Sequence, residues 1–370
     1  MSATAYIGLI SGTSRDGVDA ALVNIEGGRP ELLHAFCNPY PGAIRNELDR
    51  LLSSGERPAA GIAAGLDEQL GRFFALTANE LIQQAGIEKH DIKAVGSHGQ
   101  TVWHQPDARR PVSVQLGSGS IISRSTGITT VTDFRKADIR AGGQGAPLAP
   151  LLHRHLFHTH KEHRVILNIG GIANLTFLDT NGGVSGFDCG PGNCLMDSWI
   201  QQNNGDLYDS NGTWAASGKI HEGLLEKLLD DPFFAQQAPK STGLEYFNMR
   251  WLQSNLADLN IEAADIQCSL AELTARTVAT DILASDDVAR VLVCGGGVHN
   301  AYLMYCLRKL LLDIPIESTI NHGFDPDWVE AILFAWLAKE RLDENPQATQ
   351  AITGARGPVL LGKIYERSIN

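Results

Sequence analysis

The sequence predicts an α/β protein of two lobes, with room for a ligand cleft between them. Three observations lead there. The chain has 370 residues, more than one hydrophobic core usually organises. Strand-like and helix-like runs alternate along its whole length. A strand, a Gly turn and a returning strand occur twice: residues 6–10 and 20–25 flank the first turn, and residues 165–169 and 174–178 flank Gly170 and Gly171. A duplicated hairpin opening each lobe is what a two-lobed cleft enzyme would carry. Gly-containing hairpins are also common, so this similarity alone leaves chance open.

In order along the chain, helical spacing covers residues 46–52 and 65–85, where Leu66, Leu70, Phe73, Phe74, Leu81 and Ile82 form one apolar face. Residues 92–96 read as a short strand ending at Ser97, His98, Gly99 and Gln100. The expected domain boundary lies between Pro150 and His163, giving lobes of residues 1–155 and 156–370. Five histidines fall between positions 153 and 163. Their spacing matches no standard zinc pattern, and an exposed helix end or linker is the better reading. A helix over residues 193–202 and a strand–Gly turn–helix over residues 291–312 complete the second lobe.

Composition narrows the function. The net charge of −12 argues against nucleic acid as the main partner, since phosphate backbones need clustered Lys and Arg. It leaves room for a small anion held by backbone N–H groups. The start of the chain has no basic region followed by an apolar one, and no apolar run is long enough to span a bilayer. A cytoplasmic protein is expected. The six cysteines form no C-x-x-C pair, so buried free thiols are expected.

The first turn is unusually rich in functional residue types. Gly12 and Gly17 permit tight turning and close approach to a ligand. Thr13 and Ser14 add hydroxyl donors, and Val18 leads into the next strand. Successive N–H groups here make an anion-binding concavity. Asp16 and Asp19 are suited to holding Mg²⁺ through water, and Arg15 to offsetting charge on a transferring phosphoryl group. A plain hairpin loop has no need of so many small hydroxyl, Gly and Asp residues. ATP with Mg²⁺ is therefore the expected cofactor pair, with the direct metal ligands unassigned.

A third Gly cluster, Gly295, Gly296 and Gly297 with Asn300, nearly reads G-x-G-x-x-G. Glu317 follows where a dinucleotide fold places its acidic residue. A nicotinamide dinucleotide enzyme thus stays open as a rival, although a lone near-match is weak. The run from Gly357 to Ile364 approaches a Walker A motif but lacks its Ser/Thr and the helix that must follow, and it is rejected.

Asp188 stands at a strand end before a Gly/Pro turn, which suits either a general base or a turn-capping Asp. Glu330 is the only charge in an apolar helical run, on a solvent stripe or buried and bound to something. His98, Gln100, Asp133 and Arg135 follow strand-like runs and offer the hydrogen-bond mix expected for a polar sugar, though surface-loop roles fit each of them.

Taken in order, GLISGTSRDGVDAALV, AVGSHGQTVWH, TDFRKADIRAGGQGAPL, LNIGGIANLTF, GFDCGPGNCLMD, PKSTGLEYFN and VLVCGGGVHN resemble the anhydro-N-acetylmuramic acid kinase family, of the sugar kinase/heat-shock protein 70/actin superfamily. Arg15 departs from it, where the family often has Leu. The resemblance implies an actin/hexokinase-like, ribonuclease H-like fold with an inter-lobe active-site cleft. It implies that residues 12–19, Gly170 and Gly171 contact ATP phosphates, that residues 295–297 lie near adenosine, and that Asp188 is the catalytic base. His98, Gln100, Arg135 and Glu330 would lie near the sugar. The implied reaction opens the 1,6-anhydro ring with water and phosphorylates O6, in peptidoglycan recycling. The small-molecule partner is an anhydro-amino sugar, with no nucleic acid or membrane partner expected; a homodimer is permitted but not chosen by the sequence. An ATPase or another sugar kinase of the superfamily, and a catalytically silent sugar-binding regulator, are the remaining rivals.

Overall fold

The first strand, β1 (Ala5–Ser11), has all seven residues buried, as a strand with a neighbour on each side and helices on each face must. The computed structural model describes residues 4–12, 15–53, 57–105, 111–238, 240–256 and 259–367. β1 turns back antiparallel into β2 (Gly17–Glu26), and β2 into β3 (Arg29–Pro39). Helices α1 (Gly42–Ser53) and α2 (Ala60–Ala85) follow. The apolar stripe of α2 places Leu66, Leu70, Phe74 and Leu81 in the core, each worth about 1.5–3 kcal/mol of burial. Gly86 ends α2 in the left-handed region, φ 64°, where its N–H reaches back to Gln83 and Ile82 carbonyls.

The chain then enters β4 (Ile92–Gln105), which runs parallel to β1. β5 (Val112–Leu116), α3 (Gly119–Thr126), β6 (Thr130–Thr132), α4 (Phe134–Arg140) and α5 (Ala149–Phe157) come next. The expected short strand over residues 92–96 is thus corrected. It continues through Ser97, His98, Gly99 and Gln100 to Gln105, so these polar residues belong to a strand and not to a surface loop.

A second sheet starts at β7 (His163–Ile169) and returns antiparallel through β8 (Ile172–Leu178) and β9 (Val184–Pro191). Helices α6 (Cys194–Asn204), α7 (Thr213–Ser217), α8 (Glu222–Leu229), α9 (Met249–Leu256) and the long α10 (Ala263–Leu283) precede β10 (Val288–Cys294), α11 (Ala301–Leu310) and β11 (Ile316–Ser318). β10 is parallel to both β7 and β11. Helix α12 (Val329–Leu342), α13 (Gln350–Thr353) and β12 (Lys363–Tyr365) end the described chain.

The two sheets share one plan. In the first the strand order is β3-β2-β1-β4-β6, extended by β12; in the second it is β9-β8-β7-β10-β11. Each begins with an antiparallel three-strand meander and continues with parallel strands on the far side of its first strand. This is the ribonuclease H-like arrangement, present twice. The hairpins at residues 11–17 and 169–172 hold the same place in their sheets, which turns the duplication left open by sequence into a topological fact.

The chain divides into two units, residues 1–152 with 328–370, and residues 153–327. The first crossing falls inside α5, close to the expected position. The second differs from expectation: residues 328–370, expected in the second lobe, join the first, where α12 packs on β1 and β4 and β12 pairs with β6. Gly8 and Gly96 face each other across β1 and β4. A Cβ at either would overlap a backbone carbonyl of α12, that of Ala331 or Phe334. The two glycines let the helix lie directly on the sheet. No helix among the described residues is long and apolar enough to cross a membrane.

Candidate active site

In the first unit the groups gather where β1 and β6 end, beside the middle of β4. Ser11 pairs with Gln100 across the sheet. The Ser11 hydroxyl donates to Gln100 Oε1 at 2.6 Å, and the Gln100 amide donates to the carbonyls of Gly12 (3.3 Å) and Thr101 (3.2 Å). Gln100 is therefore the buttress of the first turn. Thr13 and Ser14 lie outside the described residues. Val18 is fully buried in the core, so only its backbone is available to a ligand. Arg15, at φ 55°, carries its guanidinium to Asp49 at 3.1 Å, which explains how this turn accommodates an arginine. Tyr40 N–H ties down the Asp16 carbonyl at 2.9 Å. Asp19 stands beside the Cys37 thiol across β2 and β3, and burial together with that carboxylate pushes the thiol up.

His98 and Arg135 form a unit. Arg135 Nε–H donates to His98 Nε2 at 2.9 Å, and Nδ1 lies 3.0 Å from the Gly99 carbonyl. With Nε2 accepting, Nδ1 carries the proton. Burial, then the Arg135 charge, holds this imidazole well below the ordinary range, so it stays neutral and positions Arg135. Glu330, at the start of α12, has its carboxyl raised by burial and lowered in part by Arg135. Asp133 adopts a left-handed φ of 61° before α4 and binds Lys136 at 2.7 Å. Strain of this kind at a non-Gly residue collects at functional sites.

Sequence reasoning missed several neighbours. A cavity of about 90 Å³ beside His98 and the expected Asp133 is also lined by Asp67, Gln115 and Lys136. Gly117 N–H donates to Asp67 at 2.8 Å, and burial raises that carboxyl. His104 Nδ1 meets Ser113 at 3.1 Å, while its buried Nε2 has no partner among the described residues. The alternation of β4 and β5 carries a signal for His104, Ser113 and Gln115, whereas Asp67 and Lys136 sit on helices and leave none.

In the second unit the turn at Gly170 and Gly171 packs under the β9–α6 connection. Their carbonyls accept from the N–H groups of Asn193 (2.8 Å), Gly192 (2.9 Å) and Cys194 (3.1 Å). Asp188 lies on β9, where Thr242 N–H donates to its Oδ2 at 3.0 Å. Gly295 has φ 80°, and a Cβ there would meet Asn168 Oδ1 and the Ile169 carbonyl. A Cβ on Gly297 would overlap Ile169, whereas one on Gly296 would meet nothing within 4 Å. Gly295 and Gly297 thus pack the turn onto β7, and Gly296 faces open space. Asn300 caps α11, its Oδ1 accepting from Leu303 N–H at 3.0 Å. Glu317 pairs with Arg290 through one carboxylate oxygen and with His322 through the other.

The histidine run is taken up by structure. His153 is buried against Thr176 at 2.8 Å, His158 and His160 contact the carbonyls of Asp179 and Thr180, and no metal-binding group of three His, Cys, Asp or Glu forms among the described residues. Burial drives His153 and His104 down to about 3. A histidine depressed in the fold stabilises it above the free value of 6.5 and loses that contribution as pH falls toward 3, because only the unfolded chain takes the proton. Stability should fall by about 1.4 kcal/mol per pH unit for each such group across this window. Urea midpoints between pH 7 and 4 check this, with His153→Gln expected to flatten the slope.

A family model described as anhydro-N-acetylmuramic acid kinase matches residues 4–367. The anhydro-N-acetylmuramic acid kinase of Pasteurella multocida is 44% identical over 365 residues, 98% of this chain and 97% of that one. That of Xanthomonas campestris is 46% identical over 364 residues, 97% of each. Among solved structures, the activator of the 2-hydroxyisocaproyl-CoA dehydratase from Clostridium difficile aligns with 92% of this chain and 96% of its own at 12% identity and a TM-score of 0.49. With near-complete coverage by both the family model and these relatives, the chain belongs to the anhydro-N-acetylmuramic acid kinase family.

Proposed function

We propose that the chain is an ATP-dependent kinase of 1,6-anhydro-N-acetylmuramic acid, giving N-acetylmuramic acid 6-phosphate for peptidoglycan recycling in the cytoplasm. Its membership of the family, matched over residues 4–367, carries this reading. The substrate has no free 6-hydroxyl, because O6 bridges to C1. Asp188 takes a proton from water, and the water oxygen attacks C1 from the face opposite O6, as in an inverting glycosidase. The C1–O6 bond breaks, and its electron pair goes to O6. O6 attacks the γ-phosphorus of ATP, the bond to the β,γ-bridging oxygen breaks, and ADP leaves. The proton remains on Asp188. Since O6 is both leaving group and phosphoryl acceptor, no separate general acid is needed.

Arg135, held by His98, and Glu330 are assigned to the sugar. The backbone of the turn buttressed by Gln100, with that of Gly170 and Gly171, is assigned to the ATP phosphates. Asp16 and Asp19 are hard oxygen donors and fit Mg²⁺, which takes one or two carboxylates when phosphate and water complete its shell. When bound, the cation neutralises charge on the phosphate oxygens.

Gly296 is assigned to the adenosine side of the nucleotide. Gly296→Ala should leave the urea midpoint unchanged and weaken ATP binding about tenfold, ~1.4 kcal/mol. Gly295→Ala should lower the midpoint, through its clash with β7 and its positive φ. The test of the reaction is ADP release coupled to anhydro-sugar. Turnover that requires the sugar supports it, and sugar-independent hydrolysis of ATP would return the ATPase reading.

A further inference from the structure

Lys240 is a buried cation with no role in the reaction written above. Its side chain is 2% exposed, and its Nζ lies 3.2 Å from Asp281 Oδ2 on α10. The rings of Phe187 and Phe233 flank it at 5.4 and 5.3 Å. Burying an ammonium is costly unless it is paired, and this one is boxed by a carboxylate and two aromatic faces. Lys240 and Thr242 belong to a segment outside any helix or strand. That segment nevertheless grips β9 at two points. Asp188 N–H donates to the Lys240 carbonyl at 3.1 Å, and Thr242 N–H donates to Asp188 Oδ2 at 3.0 Å. The ammonium and the carboxylates of Asp188 and Asp281 all act on the intervening Cys189 thiol, which burial raises well above its usual range.

We propose that Lys240 is a positioning residue: its ion pair with Asp281 anchors a strap, residues 240–242, whose backbone fixes the plane of the Asp188 carboxylate. The proposal rests on Asp188 being the base. An irregular segment has no ladder to hold it, so the side-chain anchor sets where Thr242 N–H points. A base whose carboxylate rotates loses its alignment with the water it must activate, and small misplacements of this kind cost large factors in rate.

The experiment uses the whole protein, ATP and anhydro-sugar, and the variants Lys240→Met, Lys240→Arg, Thr242→Pro and Asp188→Asn. Thr242→Pro deletes the N–H that reaches Asp188 and leaves the ion pair in place. It keeps the test alive should Lys240→Met fail to fold. Expected are falls in kcat of roughly 10- to 100-fold for Lys240→Met and Thr242→Pro, with ATP affinity within about twofold of the parent and partial recovery in Lys240→Arg. Neither change should lower the residual rate further in the Asp188→Asn background, because coupled residues are not additive. Near-normal kcat in folded Lys240→Met and Thr242→Pro, beside an inactive Asp188→Asn, overturns the strap alone. Near-normal kcat in Asp188→Asn overturns the base assignment and the strap together.

Discussion

Asp188→Asn will reduce turnover by roughly 10²–10⁴-fold, the range a positioned general base supplies, while ATP affinity stays close to that of the parent. The amide keeps the size of the carboxylate and its oxygen can still accept from Thr242 N–H, now at 3.0 Å, so β9 should hold its place. What is lost is the capacity to take a proton from water. Single-turnover rates with excess enzyme, together with a fluorescent-nucleotide titration, separate the two quantities. Loss of both rate and ATP binding would mean that the change disturbed the nucleotide turns and not the base.

The largest effect on folding is expected at Gly96. Gly96→Val places a branched side chain where a Cβ alone already overlaps the Phe334 carbonyl of α12 and crowds the Ala338 side chain. Overpacking in a core costs about 1–3 kcal/mol when side chains give way. Here the obstacle is helix backbone, so a loss of at least ~3 kcal/mol is expected. Gly42, the first residue of α1, has nothing within 4 Å of a built Cβ, and Gly42→Ala should stay within about 0.5 kcal/mol. Urea midpoints of the two variants measure the contrast. Because α12 also carries Glu330, the residue proposed for the sugar, the fraction of Gly96→Val that still folds should bind sugar poorly.

Both predictions show where the sequence was legible. Short apolar runs and Gly turns identified β1, β2, β7 and β8, because a central strand buried on two faces cannot hide its composition. Asp188 drew notice as a candidate because a Gly/Pro turn is expected after it, but Gly190 and Pro191 are paired with β8 as the last residues of β9. The extension of β4 was not, since His98 and Gln100 look like loop residues until Arg135, Ser11 and the Gly12 carbonyl are seen to satisfy them. The placement of α12 was missed for a different reason. A helix apolar almost all round announces that it is buried, not against which sheet. The strand glycines Gly8 and Gly96 were the signal, since Gly weakens a strand interior unless another backbone comes close. Lys240 left no periodic trace, for its partners Asp281 and Phe187 are distant in sequence and its neighbours form no regular element. Asn300, in the last position of the near-fingerprint, gives its Oδ1 to the first turn of α11.

The central claim is that one active site both hydrolyses the anhydro bridge and phosphorylates the oxygen released. The most direct measurement is a turnover in H₂¹⁸O with ATP and the unlabelled anhydro-sugar, followed by mass and fragment analysis of the sugar product. The account predicts one ¹⁸O at C1, none in the phosphate ester, and a phosphate on O6 in the same molecule. A phosphorylated product without ¹⁸O at C1, or labelled inorganic phosphate released with the sugar unchanged, would contradict it.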